Sequence, residues 1–205
     1  MDVAFGIGLG YYCLCVVLFL VLVFLFSFGG RRIRRFVQFY REHPGKGPTP
    51  PELDGWPRAT VIVPATGQDT AMHDALSSIS SLEYENIEIL FVTEDVDDPA
   101  CKVIANVMEA AEQSAKKQSI RHIIAGKAST CGQKNHNLLA GIAHASEESE
   151  VFVFFDSSHV LPPELLKNLL APVARGEADV VSGYHHVWPK QESVPAMGRA
   201  MTVLC

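Results

Sequence analysis

Val151-Phe-Val-Phe-Phe-Asp156-Ser-Ser-His159 sets five apolar residues directly before an acid. The run is long enough for a strand and too short for a buried helix, and it lacks the alternation of a half-exposed sheet, which fits a central strand covered on both faces. Upstream, Ile87 to Thr93 is a second such run, ending on Glu94-Asp95. In an open parallel sheet, ligands bind in the crevice beyond the carboxyl ends of the strands, so these two acids, about sixty residues apart, are placed to face one site. That is the geometry for holding a metal-bound phosphate.

Around these runs strands alternate with helices. Thr60 to Pro64 is a β-branched strand stopped by proline; Leu76, Ile79 and Leu82 then mark a helix with Asp69 or Thr70 as cap. After Ile87 to Thr93, Pro99 opens a helix whose apolar face is Val103, Val107, Ala110 and Ala111. Ile120 to Ala125 reads as a third strand, Gln133 to Ala145 as a helix, Val151 to Phe155 as the fourth strand, Pro163 to Ala174 as a helix and Val180 to Tyr184 as a fifth strand. This alternation predicts βαβ units and a mostly parallel α/β sheet covered on both faces.

The N-terminal part is different in kind. From Val3 to Phe28 there are 26 residues without a charge, enough to cross a hydrocarbon core of roughly 30 Å. The start lacks a basic region and no small-residue cleavage site follows, so the segment is expected to be an uncleaved membrane anchor. Arg31, Arg32, Arg34 and Arg35 follow it against Asp2 at the other end, which orients the N-terminus outward and the rest to the cytoplasm. Ile33, Phe36, Val37, Phe39 and Tyr40 interleave with the arginines and suit either a helix on anionic headgroups or a plain stop-transfer flank. Prolines and glycines between His43 and Arg58 make a linker. The organisation is therefore a span over 3–28, a basic juxtamembrane and linker segment over 29–57, and one α/β domain over 58–205. That domain carries 11 Lys plus Arg and 19 Asp plus Glu, a net charge of −8 that argues against a nucleic-acid partner. Five cysteines without a Cys-x-x-Cys pair indicate neither a disulfide framework nor a zinc site.

The candidate chemistry gathers at strand ends. Asp156 can ligate a divalent cation that also holds a diphosphate, or can serve only as a turn cap. Within Glu94, Asp95, Asp97 and Asp98, Asp95 stands nearest the strand end and is the candidate for hydrogen bonds to a ribose or base, with Asp97 and Asp98 as caps of the next helix. The segment Gly126 to Asn137 joins a strand to a helix with glycines, Lys127 and Lys134, and suits an anion at a helix N-terminus, although it matches neither a P-loop nor a dinucleotide fingerprint. His159, His185 and His186 with Asp156 follow no zinc-ligand spacing, and Ser157-Ser158 sits in no nucleophile elbow.

Taken in order, Val61-Ile-Val-Pro64, then Glu88-Ile-Leu-Phe-Val-Thr-Glu-Asp95-Val-Asp-Asp-Pro-Ala100, then Lys134-Asn-His-Asn137, then Phe155-Asp156-Ser-Ser-His-Val-Leu-Pro-Pro163 resembles the ceramide glucosyltransferase-like group of GT-A glycosyltransferases. The resemblance runs from about Arg58 to Trp188, and Asp-Asp-Pro-Ala is its most specific piece. It implies a GT-A fold and inverting transfer of a hexose such as glucose from a UDP-sugar to a lipid hydroxyl, on ceramide or a related lipid. By the same resemblance Asp95 contacts the donor nucleotide, Asp156 stands at the diphosphate and its Mg²⁺ or Mn²⁺, and Pro64, Lys134 and Asn137 line the donor side. Many relatives carry Asp-x-Asp where this chain has Asp156-Ser157-Ser158. The family continues with a third acid acting as general base and a Gln-x-x-Arg-Trp-type segment, whereas only Glu192 follows Asp179 here. The expectation is accordingly an N-terminal portion of such an enzyme, with Asp156 as its catalytic residue, without the base and inactive alone. The alternatives are an inert nucleotide-sugar-binding or regulatory module and a polyprenyl-phosphate or polysaccharide glycosyltransferase.

Overall fold

Four strands, β1 (Ala59–Pro64), β2 (Ile87–Thr93), β3 (Ser119–Ile124) and β4 (Val151–Phe154), form one parallel sheet in the order β3-β2-β1-β4. They belong to a computed structural model that describes residues 10–24, 49–53, 55–114 and 118–183. The chain divides into two units, Met1–Gly47 and Pro48–Cys205. In the first, residues 10–24 form helix α1, whose side chains are all exposed. At about 1.5 Å per residue α1 is roughly 22 Å long, and among the described residues no helix is long and apolar enough to cross a membrane. The ends of the expected span, 3–9 and 25–28, and the basic segment after it lie outside the described residues.

In the second unit, helices α2 (Met72–Ser80), α3 (Ala100–Glu112), α4 (Gln133–His144) and α5 (Leu165–Ala174) alternate with the strands. The strands form where apolar and β-branched residues run without a break. All seven residues of β2 are buried, and Val61, Ile62 and Val63 of β1 have no exposed surface. Alternate side chains then point to opposite faces. Val61, Val63, Ile89, Phe91 and Val153 pack with Leu76 and Ile79 of α2, Ile104 and Val107 of α3, and Leu166 and Leu170 of α5. Ile62, Leu90 and Val92 pack on the other face with Ile123 of β3 and Leu138 and Ala140 of α4. Gly141 lets α4 approach the sheet, since a Cβ there would collide with the Ile62 side chain.

Two expectations fail. β4 is not central among the described strands: it lies at an edge, with Val153 buried but Phe152 and Phe154 on the opposite face 41% and 50% exposed. The unbroken apolarity of Val151 to Phe155 reports a strand with two apolar faces, and α4 sits over β1, β2 and β3 instead. The expected fifth strand does not form over 180–183, where Val180 is 86% exposed; Tyr184 is outside the described residues. Smaller differences are local. Ala71 is the N-cap of α2, with Asp69 accepting the Ala71 N–H at 3.3 Å, and Pro99 occupies the N-cap position of α3.

Away from the strand ends that carry the candidate acids, a buried polar cluster ties three strands together. Glu88 Oε1 meets Arg121 Nη2 at 2.6 Å, while Oε2 accepts the Thr60 hydroxyl at 3.0 Å and the Ser146 N–H at 2.9 Å. Arg121 also donates to the His144 carbonyl, and Thr60 meets Ser149. Burial alone would raise the Glu88 pKa, but the Ser146 N–H, the Arg121 guanidinium and the Thr60 hydroxyl together hold it below the ordinary carboxylate value.

Candidate functional site

In the order β3-β2-β1-β4, the chain steps outward from β1 to β3 and then returns to the far side of β1, so the switch point lies between β1 and β4. A crevice forms beyond the carboxyl ends of the strands at such a point. Asp95 follows β2 and Asp156 follows β4, and both strands pair with β1. The two acids therefore follow the two strands that flank β1, Asp156 two residues past the Ile62–Phe154 pair and Asp95 three residues past the Pro64–Val92 pair. Pro64 is the last residue of β1, half-buried between them.

On the β4 side, Asp156 is half-exposed, and its Oδ1 takes an ion pair from Lys134 Nζ at 2.5 Å. Lys134 is the second residue of α4, whose N-cap Gly132 supplies no side-chain bond, so the first-turn N–H groups and the ammonium face the same end of the helix. Gln133 fixes the preceding loop: its Oε1 accepts the Ala128 N–H at 2.8 Å and its Nε2 donates to the Gly126 carbonyl at 2.8 Å. Gly126 turns the chain there with φ +78°. Asn137 is 3% exposed, accepts from Gln133 Nε2 at 2.8 Å and directs its own amide toward the Val92 carbonyl at 3.5 Å. It sits behind the loop, as a support.

On the β2 side, Asp95 is exposed and its Oδ1 accepts the Asp97 N–H at 3.1 Å. Its carbonyl is held from beneath by the Thr93 hydroxyl at 3.3 Å and Cys101 Sγ at 3.3 Å. Thr93 in turn meets His122 Nε2 at 2.9 Å. Burial holds the His122 pKa below its ordinary value and so favours the neutral imidazole, and a Thr93 hydroxyl that donates to the Asp95 carbonyl accepts from a proton on Nε2. Asp98 does more than the expected capping of α3. It accepts the Ala100 N–H at 2.8 Å, as a cap does, and also the Gly67 N–H at 2.8 Å and the Thr66 hydroxyl at 2.9 Å in the loop after β1. That cross-loop role is the one the sequence does not signal.

The donor set for a cation is narrow. Among the described residues no three His, Cys, Asp or Glu side chains gather into a metal cluster. Asp156 offers one carboxylate, with Lys134 already on one oxygen and Ser157 and Ser158 next in the chain. A magnesium-like ion held by one carboxylate, waters and a ligand's phosphates fits that set; a resident metal without ligand does not.

A family model described as Glycosyl transferase family 21 matches residues 20–200. No curated protein matches the sequence significantly. Among solved structures the chain is similar to the mannosyltransferase PcManGT from Pyrobaculum calidifontis, in complex with GDP-Man and Mn²⁺, with 18% identity and a TM-score of 0.48 over 71% of this chain and 40% of that one. It is also similar to protein Rv1636 from Mycobacterium tuberculosis H37Rv, with 17% identity and a TM-score of 0.32 over 65% of this chain and 99% of that one. Scores at this level say nothing of function, and the chain spans well under half the length of the mannosyltransferase.

Proposed function

The chain belongs to glycosyl transferase family 21, and from that premise we propose that its α/β domain is the GT-A donor-binding part of a membrane-anchored enzyme. It binds a UDP-sugar at the β1–β4 switch point and serves inverting transfer of a hexose to a lipid hydroxyl such as that of ceramide. The observation that carries this reading is the pair of acids flanking the end of β1, one of them holding a lysine at the N-terminus of α4. The nucleoside lies toward Asp95 and the diphosphate toward Asp156. Arg31 to Arg35 after the apolar segment orient the domain to the cytoplasm.

The residues' tasks follow from charge. In a single displacement the acceptor hydroxyl gives up its proton to a base as its oxygen bonds to the anomeric carbon and the bond to the diphosphate oxygen breaks, and negative charge builds on the departing UDP. Lys134 offsets that charge from the α4 terminus, helped by the unpaired first-turn N–H groups. Asp156 aims Lys134 and is the residue that would ligate Mg²⁺ or Mn²⁺; such a cation supplies Lewis-acid stabilisation of the leaving group. None of the acids in the crevice is assigned the task of taking the acceptor's proton. Because Ser158 stands where an Asp-x-Asp pattern would place a second acid after Asp156, a nucleotide-sugar-binding module without transfer is the second reading.

UDP titration by calorimetry, with and without Mn²⁺, tests the donor site in the wild type and in Asp156→Ala. The wild type is expected to bind more tightly with Mn²⁺, and Asp156→Ala to lose that gain, roughly tenfold in Kd or about 1.4 kcal/mol. Equal affinities in all four titrations would remove Asp156 from the site.

A further inference from the structure

Capping α3 requires one acceptor, and a serine or asparagine beside Pro99 would provide it. Asp98 does more. Its Oδ1 takes both the Ala100 and Gly67 N–H groups at 2.8 Å, and its Oδ2 takes the Thr66 hydroxyl at 2.9 Å. The last sheet-type bond of the β1 chain is Ala65 N–H to the Val92 carbonyl at 2.9 Å. Beyond it, Gly67 turns with φ +69°, a conformation that disfavours a side chain and presents its N–H to Asp98. A half-buried carboxylate makes charge-assisted bonds stronger than a neutral cap would.

We propose that Asp98 is a positioning residue that locks the loop after β1 to the loop carrying Asp95, and so sets the width of the nucleoside end of the crevice without touching the ligand. The inference rests on the donor-site reading above and adds a part to it. Asp95, exposed and three residues upstream, gains a fixed distance to the Thr66–Gly67 backbone across the end of β1. The diphosphate end, at Asp156 and Lys134, hangs on α4 and β4 and does not depend on this brace.

The test compares UDP with inorganic pyrophosphate on the full chain. Asp98→Ala is expected to raise the UDP Kd by roughly ten- to a hundredfold through misplacement of the two loops, while pyrophosphate affinity is unchanged. Asp98→Asn keeps an acceptor for the two N–H groups and can donate to Thr66, so it should restore UDP binding to within about threefold of wild type. Hydrogen exchange at the Gly67 amide should speed up in Asp98→Ala alone. If UDP affinity in Asp98→Ala equals wild type, or UDP and pyrophosphate weaken together, the brace is not a positioning device. Should Asp98→Ala fail to fold, Thr66→Val carries the same comparison, with a several-fold loss for UDP only. A wild type that binds no UDP defeats the donor-site reading itself, and that failure shows in the wild-type arm, whereas failure of the brace shows only in the variants.

Discussion

Lys134 and Asp156 meet with both side chains about half in solvent, a pair that contributes at most about 1 kcal/mol to the fold. Its value lies in exchange: an arriving diphosphate can take the ammonium with little loss. Lys134→Gln should therefore weaken UDP binding without Mn²⁺ by roughly three- to tenfold while the denaturation midpoint stays nearly constant, as paired calorimetry and urea unfolding would show. Glu88 is the opposite case, buried and fully engaged. Its folded pKa is depressed, so the unfolded chain binds the extra proton. Its contribution is then complete above the ordinary carboxylate value near 4.5 and is lost as pH falls through the lower folded value. Glu88→Gln should flatten that acid limb of a stability-against-pH curve and cost about 1–3 kcal/mol at neutral pH, since Arg121 loses its partner. Asp95 and Asp156 were legible in the sequence because an acid directly after an apolar run must emerge at a strand end. Asp98 was not, because four acids between Glu94 and Asp98 look alike in composition and turn geometry selects the one that reaches Thr66. Asn137 reads as a polar residue near a ligand loop, yet its helical position turns it inward beneath Gln133.

At the scale of elements, α4 shows how a helix can be anchored by what it lacks. Gly141 lies in its interior, where Ala normally stabilises by about 1 kcal/mol. Here the sign should reverse: a methyl group would press on Ile62, which is fully buried in β1, and Gly141→Ala should cost about 1–3 kcal/mol in chemical denaturation. Unbroken apolar runs and helical spacing were enough to place the strands β1 to β4 and the helices α2 to α5 among the described residues, with ends shifted by one or two residues where caps and prolines compete. Periodicity could not tell that β4 stands at an edge, since an edge strand with an apolar outer face reads like a central one. Val180 and Val181 are apolar and β-branched as well, but residues 180–183 form no strand.

For the domain as a whole, Phe152 and Phe154 leave an apolar strip on the edge strand, beside a net charge of −8 over 58–205. Replacing both with serine is expected to reduce dye binding by hydrophobic probes and to raise solubility, with stability changed by no more than about 1 kcal/mol; an unchanged dye signal would mean the strip is covered. The strand order also sets a timetable. β1 is made first, finds β2 soon after, and waits for β4 until about ninety residues later, so its second edge must stay open in the growing chain. At roughly 5–20 residues per second that interval lasts about 5 to 20 seconds on the ribosome. Through it, a strand whose finished form is sealed on both edges offers one to any passing partner, and the birth of this domain depends on what shields it.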